Sequence, residues 1–158
     1  MDKSMFIKDI QDIEEFFNRS TSCLNEVDSQ YKPKEEIRTV AQTVAHAAIS
    51  IDWFIEGAFG NDGFKMDFDE QEKRVREYTS LTEARKWFAQ SIRNAIDTFS
   101  AASDEELNKP INDTLITGPK PRWTIIQSIA EHTAHCRGAL TIYSRLLDKT
   151  PKMPYADM

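Results

Sequence analysis

Phe6, Ile10, Ile13, Phe17, Leu24 and Val27 recur at steps of three, four or seven residues, which places them on one side of an α-helix and predicts a long amphipathic helix at the start of the chain. The YKPKE turn around Pro33 interrupts it. A second stripe of Ile37, Val40, Ala41, Val44, Ala48, Ile51 and Ile55 predicts a second helix running to Gly57 and Gly60. From Asn61 to Thr79 the chain is polar and charged, so a long connection is expected, with a short helical turn around Asp69–Tyr78. Ser80 and Glu83 form an S-x-x-E capping box ahead of Leu81, Ala84, Phe88, Ser91, Ile92, Ala95 and Phe99, which predicts a third helix ending near Ser103. The Pro- and Gly-bearing stretch NKPINDTLITGPKPR leads to a second box at Thr124 and Gln127. A fourth helix then runs through EHTAHCRGAL to about Leu147, with Pro151 and Pro154 as its stop. The chain has no period-2 run longer than a few residues, no internal repeat and no low-complexity tract. Four long helices with mostly long connections predict an all-α fold, a four-helix bundle formed as one domain over residues 1–158.

The same periodicity places the chemistry. The chain has three histidines, His46 on the second helix and His132 and His135 on the fourth. At about 100° per residue, Ile125, Ile129, His132, Cys136, Ala139, Leu140, Tyr143 and Leu147 fall within roughly 60° of one direction, so His132 and Cys136 share the inward stripe. His135 lies toward the flank occupied by Ile142 and Leu146. His46 lies opposite the aliphatic stripe of its helix, beside Thr39, Gln42, Ser50, Trp53 and Gly57. An ordinary solvent face would be rich in Lys and Glu; small neutral polar groups and a Trp suggest a pocket wall instead. Two residues at i and i+4 on one helix and a third from a facing helix can hold a metal on three sides and leave one position open. A His–Cys pair at helical spacing also fits plain core packing, with Cys136 a small buried hydrophobe. The aromatic residues fit the core as well, Trp53 and Trp123 being the two that also suit a pocket wall.

Composition narrows the class. With 26 acidic against 20 basic residues the formal net charge is −6, which repels a phosphate backbone and argues against nucleic acid as a partner. The start, MDKSMFIKDI, lacks the apolar block of a secretory signal, and Asp52 ends the uncharged run TVAQTVAHAAISI well short of the roughly 20 apolar residues of a membrane span. A cytoplasmic location without a membrane partner is therefore expected, with Cys23 and Cys136 as reduced thiols. The residues three before His132 and His46 are Ile129 and Thr43, so no pair of E-x-x-H motifs is present for a di-iron site. H-E-x-x-H, G-x-S-x-G, G-x-x-x-x-G-K-[ST] and G-x-G-x-x-G are absent too, which removes the usual support for proteinase and nucleotide-binding readings.

Three places in the chain carry a resemblance to a known family: AHAAISIDW with His46 and Trp53, HTAHCRGAL with an H-x-x-x-x-R-G frame, and the closing SRLLDKTPKMPY. In this order, and over nearly the whole length, the chain resembles the DinB/YfiT-like metalloenzymes, damage-inducible bundle proteins of bacteria. The resemblance implies a divalent metal, zinc or nickel, held by three histidines in a four-helix bundle. His46 matches the first ligand and His132 the second, and the third falls on Cys136, where the family has His. A thiolate can replace imidazole on zinc, and His135 is the alternative third ligand. The resemblance further implies a thiol S-transferase or hydrolase acting on a small electrophilic substrate, with a low-molecular-weight thiol as co-substrate, and a homodimer. Trp53, Gln42 and Ser50 are then expected in the substrate pocket, with Arg137 available for an anionic group or an ion pair. The alternative is a catalytically lapsed, metal-poor bundle serving as a small-ligand-binding or dimeric interaction module.

Overall fold

Asp2 opens α1 (Lys3–Thr21) by accepting the Ser4 backbone N–H, which satisfies one of the donors a helix start leaves unpaired. The computed structural model describes residues 2–113 and 115–156; Met1, Thr114, Asp157 and Met158 lie outside the described residues. It continues with α2 (Val40–Phe59), α3 (Phe68–Arg76), α4 (Leu81–Ala101), α5 (Asp104–Asn108) and α6 (Ile125–Leu146). Among the described residues the only β pairing is an isolated bridge between Pro110 and Pro121.

The four long helices form a bundle in which α1 and α2 each pack against both α4 and α6. Side-chain bonds fix their directions. Lys3, at the start of α1, donates to the carbonyls of Ser100 and Ala102 at the end of α4, while Arg85, near the start of α4, donates to the Thr21 carbonyl at the end of α1. These two run antiparallel. Phe59 meets Phe99 edge-on where α2 and α4 both end, so those two run parallel. Tyr143, near the end of α6, donates to the Arg38 carbonyl just before α2, which makes that pair antiparallel. Two consecutive long helices that run the same way need a connection spanning the bundle, and this is the physical reason for the long polar segment between α2 and α4. The short helix expected there is α3.

The predicted stripes become the core. Ile10, Ile13 and Phe17 of α1 meet Phe88, Ile92 and Phe99 of α4, with Phe17 stacked on Phe88 at 4.3 Å between ring centroids. α2 is buried around most of its circumference, because Ala41, Ala45, Ala47, Ala48 and Ala58 let neighbours approach on several sides. Gln42, Thr43 and Ser50 are buried with it. Thr39 and Gln42 form a reciprocal capping box, and the Gln42 amide also donates to the Arg76 carbonyl of α3.

Four expectations are corrected. α1 stops at Thr21, so Leu24 is buried from the following segment while Val27 is exposed. α2 begins at Val40, leaving Ile37 exposed before it. Thr124 caps nothing: a 3₁₀ turn over Arg122–Thr124 precedes α6, and the Thr124 hydroxyl donates back to Pro121. α6 ends before the prolines, in a Schellman motif in which Lys149 and Asp148 donate to the carbonyls of Ser144 and Arg145 and Asp148 takes φ 57°. Past α4, the short α5 carries Leu107 into the core, with Ile111 behind it, an element the sequence pattern did not announce.

Candidate metal centre

His46 sits in the second turn of α2, held by a helix whose neighbouring residues are nearly all buried. His132 and Cys136 sit one turn apart on α6, which runs antiparallel to α2 and presents them to it. The His46 and His132 Nε2 atoms are 3.2 Å apart, and His46, His132 and Cys136 offer ligand atoms that all lie within 4.8 Å of one another. The convergence expected from the sequence is present.

A polar network orients the pair. The Ser50 hydroxyl donates to the His46 carbonyl at 2.7 Å, and its oxygen stands 3.0 Å from the His132 Nε2. That nitrogen also stands 3.2 Å from the His46 Nε2, so a proton joining the pair has to leave before both nitrogens can ligate a metal. Phe54 closes the apolar side against the His132 ring, 6.1 Å between centroids. Burial, assisted by the Arg38 and His132 charges, pushes the His46 imidazole down to about 4, and burial with the His135 and Arg38 charges lowers His132. Burial pushes the Cys136 thiol up to about 12. Both imidazoles are thus neutral near pH 7, the form that ligates a metal, and Cys136 is a protonated thiol that has to lose its proton to do so.

The donor set fits a zinc-class ion. With bonds of about 2.0–2.3 Å, neighbouring donors of a tetrahedral site stand roughly 3.3–3.8 Å apart, a range bracketed by the spacings found here. Two imidazoles and a thiolate would hold such an ion with one position of four left for a substrate, and His46 and Cys136 border a cleft of about 340 Å³. Arg38, Thr43, His135 and Tyr143 line that cleft together with His46 and Cys136. At its rim Glu72 of α3 accepts from both Arg38 and Arg76. Burial raises the Glu72 carboxyl, but the hydrogen bonds from these two arginines outweigh it and hold it below the usual carboxylate range.

The other residues singled out in the sequence fall in different places. His135 is exposed at the cleft mouth, its ring 6.0 Å from that of His132, and is not one of the three grouped ligands. Gln42 caps α2, as above. Trp53 does not line the His46 cleft: its indole N–H donates to the Lys65 carbonyl and its ring packs on Phe64 and Phe68, so it pins the crossover to α2. Trp123 packs on Phe6. Arg137 is turned away from the ligands, into a cleft between α1 and α6, because it follows Cys136 by one residue and so points about 100° around the helix. Glu72 and Arg76 are the residues the sequence reading missed. Their i, i+4 spacing was visible, but that α3 folds back to share Glu72 with Arg38 depends on the tertiary path.

A helical bundle with a half-buried His–His–Cys cluster beside a cleft defines a class of candidate metal-binding helical proteins. The chain belongs to the DinB superfamily, whose family model matches residues 13–140, a stretch that contains all three candidate ligands. No curated protein matches the chain in sequence.

Proposed function

We propose that this chain is a divalent-metal-dependent enzyme acting on a small electrophilic substrate, as a thiol S-transferase or a related hydrolase. The observation that carries the reading is the convergence of His46, His132 and Cys136 beside an open cleft. A bound zinc-class ion supplies Lewis acidity that turns a thiol or water into a nucleophile at neutral pH. The chain's own residues do the rest. Phe54 and the α2 backbone keep the histidine pair partly shielded from water, and Ser50 fixes the His132 ring. Arg38 and Arg76, half neutralised by the shared Glu72, leave positive character at the rim for an anionic thiol or substrate.

The test is elemental analysis of protein purified without a histidine tag, followed by a screen of low-molecular-weight thiols against electrophiles. Near-stoichiometric metal with thiol consumption supports the proposal; metal-free protein without turnover after zinc or nickel reconstitution defeats it. A second reading, a catalytically lapsed bundle that binds a small ligand, is favoured by one observation: Cys136 is only 2% exposed and holds its proton tightly. The same analysis separates the two. We also propose a homodimer formed through the α6 flank, where Ile142 and Leu146 are exposed, and light scattering at twice the 18.2 kDa chain mass is the expected result.

A further inference from the structure

α6 carries a second pair at the same four-residue step as His132 and Cys136, displaced by one residue: Thr133 and Arg137. That displacement turns the pair toward α1. There, between α1 and α6, runs a cleft of about 420 Å³ walled by Ile13, Phe16, Phe17, Ile126 and Ala130 and ended by Tyr155, whose ring stands edge-on to Phe16 at 5.0 Å.

Two polar atoms within this apolar cleft have no partner. Thr133 is 3% exposed and its Oγ1 makes no hydrogen bond. Elsewhere in the protein such hydroxyls satisfy themselves on the carbonyl four residues back, as Thr21, Thr43, Ser50 and Ser144 do. Thr133 does not. The Arg137 Nη1 is likewise buried without an acceptor, whereas Arg38 and Arg85 have carboxylate, hydroxyl or carbonyl partners and Arg122, though its Nε is unpartnered, pairs with Glu106 through Nη1. Nothing closer than the Tyr155 ring, 5.8 Å from its guanidinium carbon, answers its charge among the described residues. Arg137 as a whole is half-buried, but its Nη1 is cut off from water, and a charged donor buried without an acceptor is costly until an anion reaches it. A planar carboxylate matches its donors, and the adjacent hydroxyl supplies a further donor to the same group.

The other lining residues restrict the ligand. Asp9 and Asp12 lie along the same cleft, with Asp12 already held by Lys8, so a multiply charged anion such as a phosphate ester is repelled. Aromatic and aliphatic walls favour an apolar body behind a single negative charge. We propose that the α1–α6 cleft binds a small organic monocarboxylate, its carboxylate on Arg137 and Thr133 and its apolar body against the Phe16 and Ile126 walls. This site lies on the α1-facing side of α6, adjacent to the face that carries the metal ligands, and does not depend on a metal.

The test is titration of the intact protein with 4-phenylbutyrate and octanoate, followed by amide NMR shifts, beside the neutral 4-phenylbutanamide. Saturable binding is expected, with shifts centred on Ala130, Thr133 and Ala134, and at least about tenfold weaker binding of the amide. Arg137→Gln and Thr133→Val should each weaken the carboxylate several-fold, Arg137→Lys less than Arg137→Gln, while His46→Ala binds as the parent does. Should Arg137→Gln fail to fold, the near-isosteric Thr133→Val and the amide comparison still decide. No saturable binding of either acid up to about 10 mM means that water alone satisfies these atoms and overturns the proposal. So do equal affinities for acid and amide, unaffected variants, or shifts centred on His46 and His132.

Discussion

Cys136 is the residue on which the candidate centre turns, because a thiol that is 2% exposed can be a ligand or a core atom with the same coordinates. Substitution separates the two roles. As a ligand, Cys136→Ala should lower metal per chain sharply while costing only about 1 kcal/mol of metal-free stability from the small cavity. Cys136→His restores an imidazole at the same position, and its larger ring in a packed site should cost about 1–3 kcal/mol in the metal-free protein, recovered in part on adding zinc. His135→Ala should leave metal content unchanged, since that ring is exposed and outside the cluster. Metal analysis and urea midpoints for the three variants check this. Unchanged metal in Cys136→Ala together with loss in His135→Ala would reverse the assignment of the third ligand.

At the scale of elements, helix ends show what packing and local chemistry each contribute. α6 is stopped by Asp148 in the left-handed region, a conformation costly for most side chains and free for glycine. Asp148→Gly should therefore raise stability by up to about 1 kcal/mol, read as a higher urea midpoint with unchanged slope. Thr39→Ala removes the hydroxyl half of the buried box at the start of α2, which holds His46, and should cost about 1 kcal/mol. Gly57→Ala places a Cβ 2.1 Å from the Phe64 ring and should loosen the crossover that Trp53 pins. The sequence foretold the four long helices because their stripes repeat every three or four residues, and the same arithmetic put His132 and Cys136 on one stripe and His46 on a polar wall, while leaving His135 open as the alternative to Cys136. It did not foretell α5, whose one turn is too short to show a period. Nor did it foretell the Trp53 latch or the Arg38–Glu72–Arg76 network, whose partners are joined only by the path of the crossover.

The whole molecule integrates the buried titrations of the centre into a stability profile. His46 goes from an ordinary 6.5 to about 4 on folding, so between these values the unfolded chain binds the proton and the folded one does not. Stability of the metal-free protein must then fall as pH drops from about 6.5 to about 4, and His132 shifts in the same direction. Cys136 works at the other end: from 9 to about 12 the unfolded chain has lost the thiol proton and the folded chain keeps it, so stability falls as pH rises. Between about 6.5 and 9 neither group contributes a slope. Urea midpoints of EDTA-treated protein at about pH 5, 7.5 and 10.5 should therefore be highest at the middle value, with the acid loss reduced in His46→Gln and the alkaline loss reduced in Cys136→Ala to the part contributed by Tyr143, whose hydroxyl is also pushed up by burial. Zinc alters both limbs: it is displaced at acid pH, where His46 and His132 take up protons, and it removes the Cys136 part of the alkaline loss. A ligated Cys136 is a thiolate in the folded state, so the folded chain no longer holds the extra proton, and the loss above pH 9 should shrink on adding zinc. An alkaline loss as large at saturating zinc as without it, while Cys136→Ala reduces it, would show that the thiol keeps its proton and that Cys136 is packing, not a ligand.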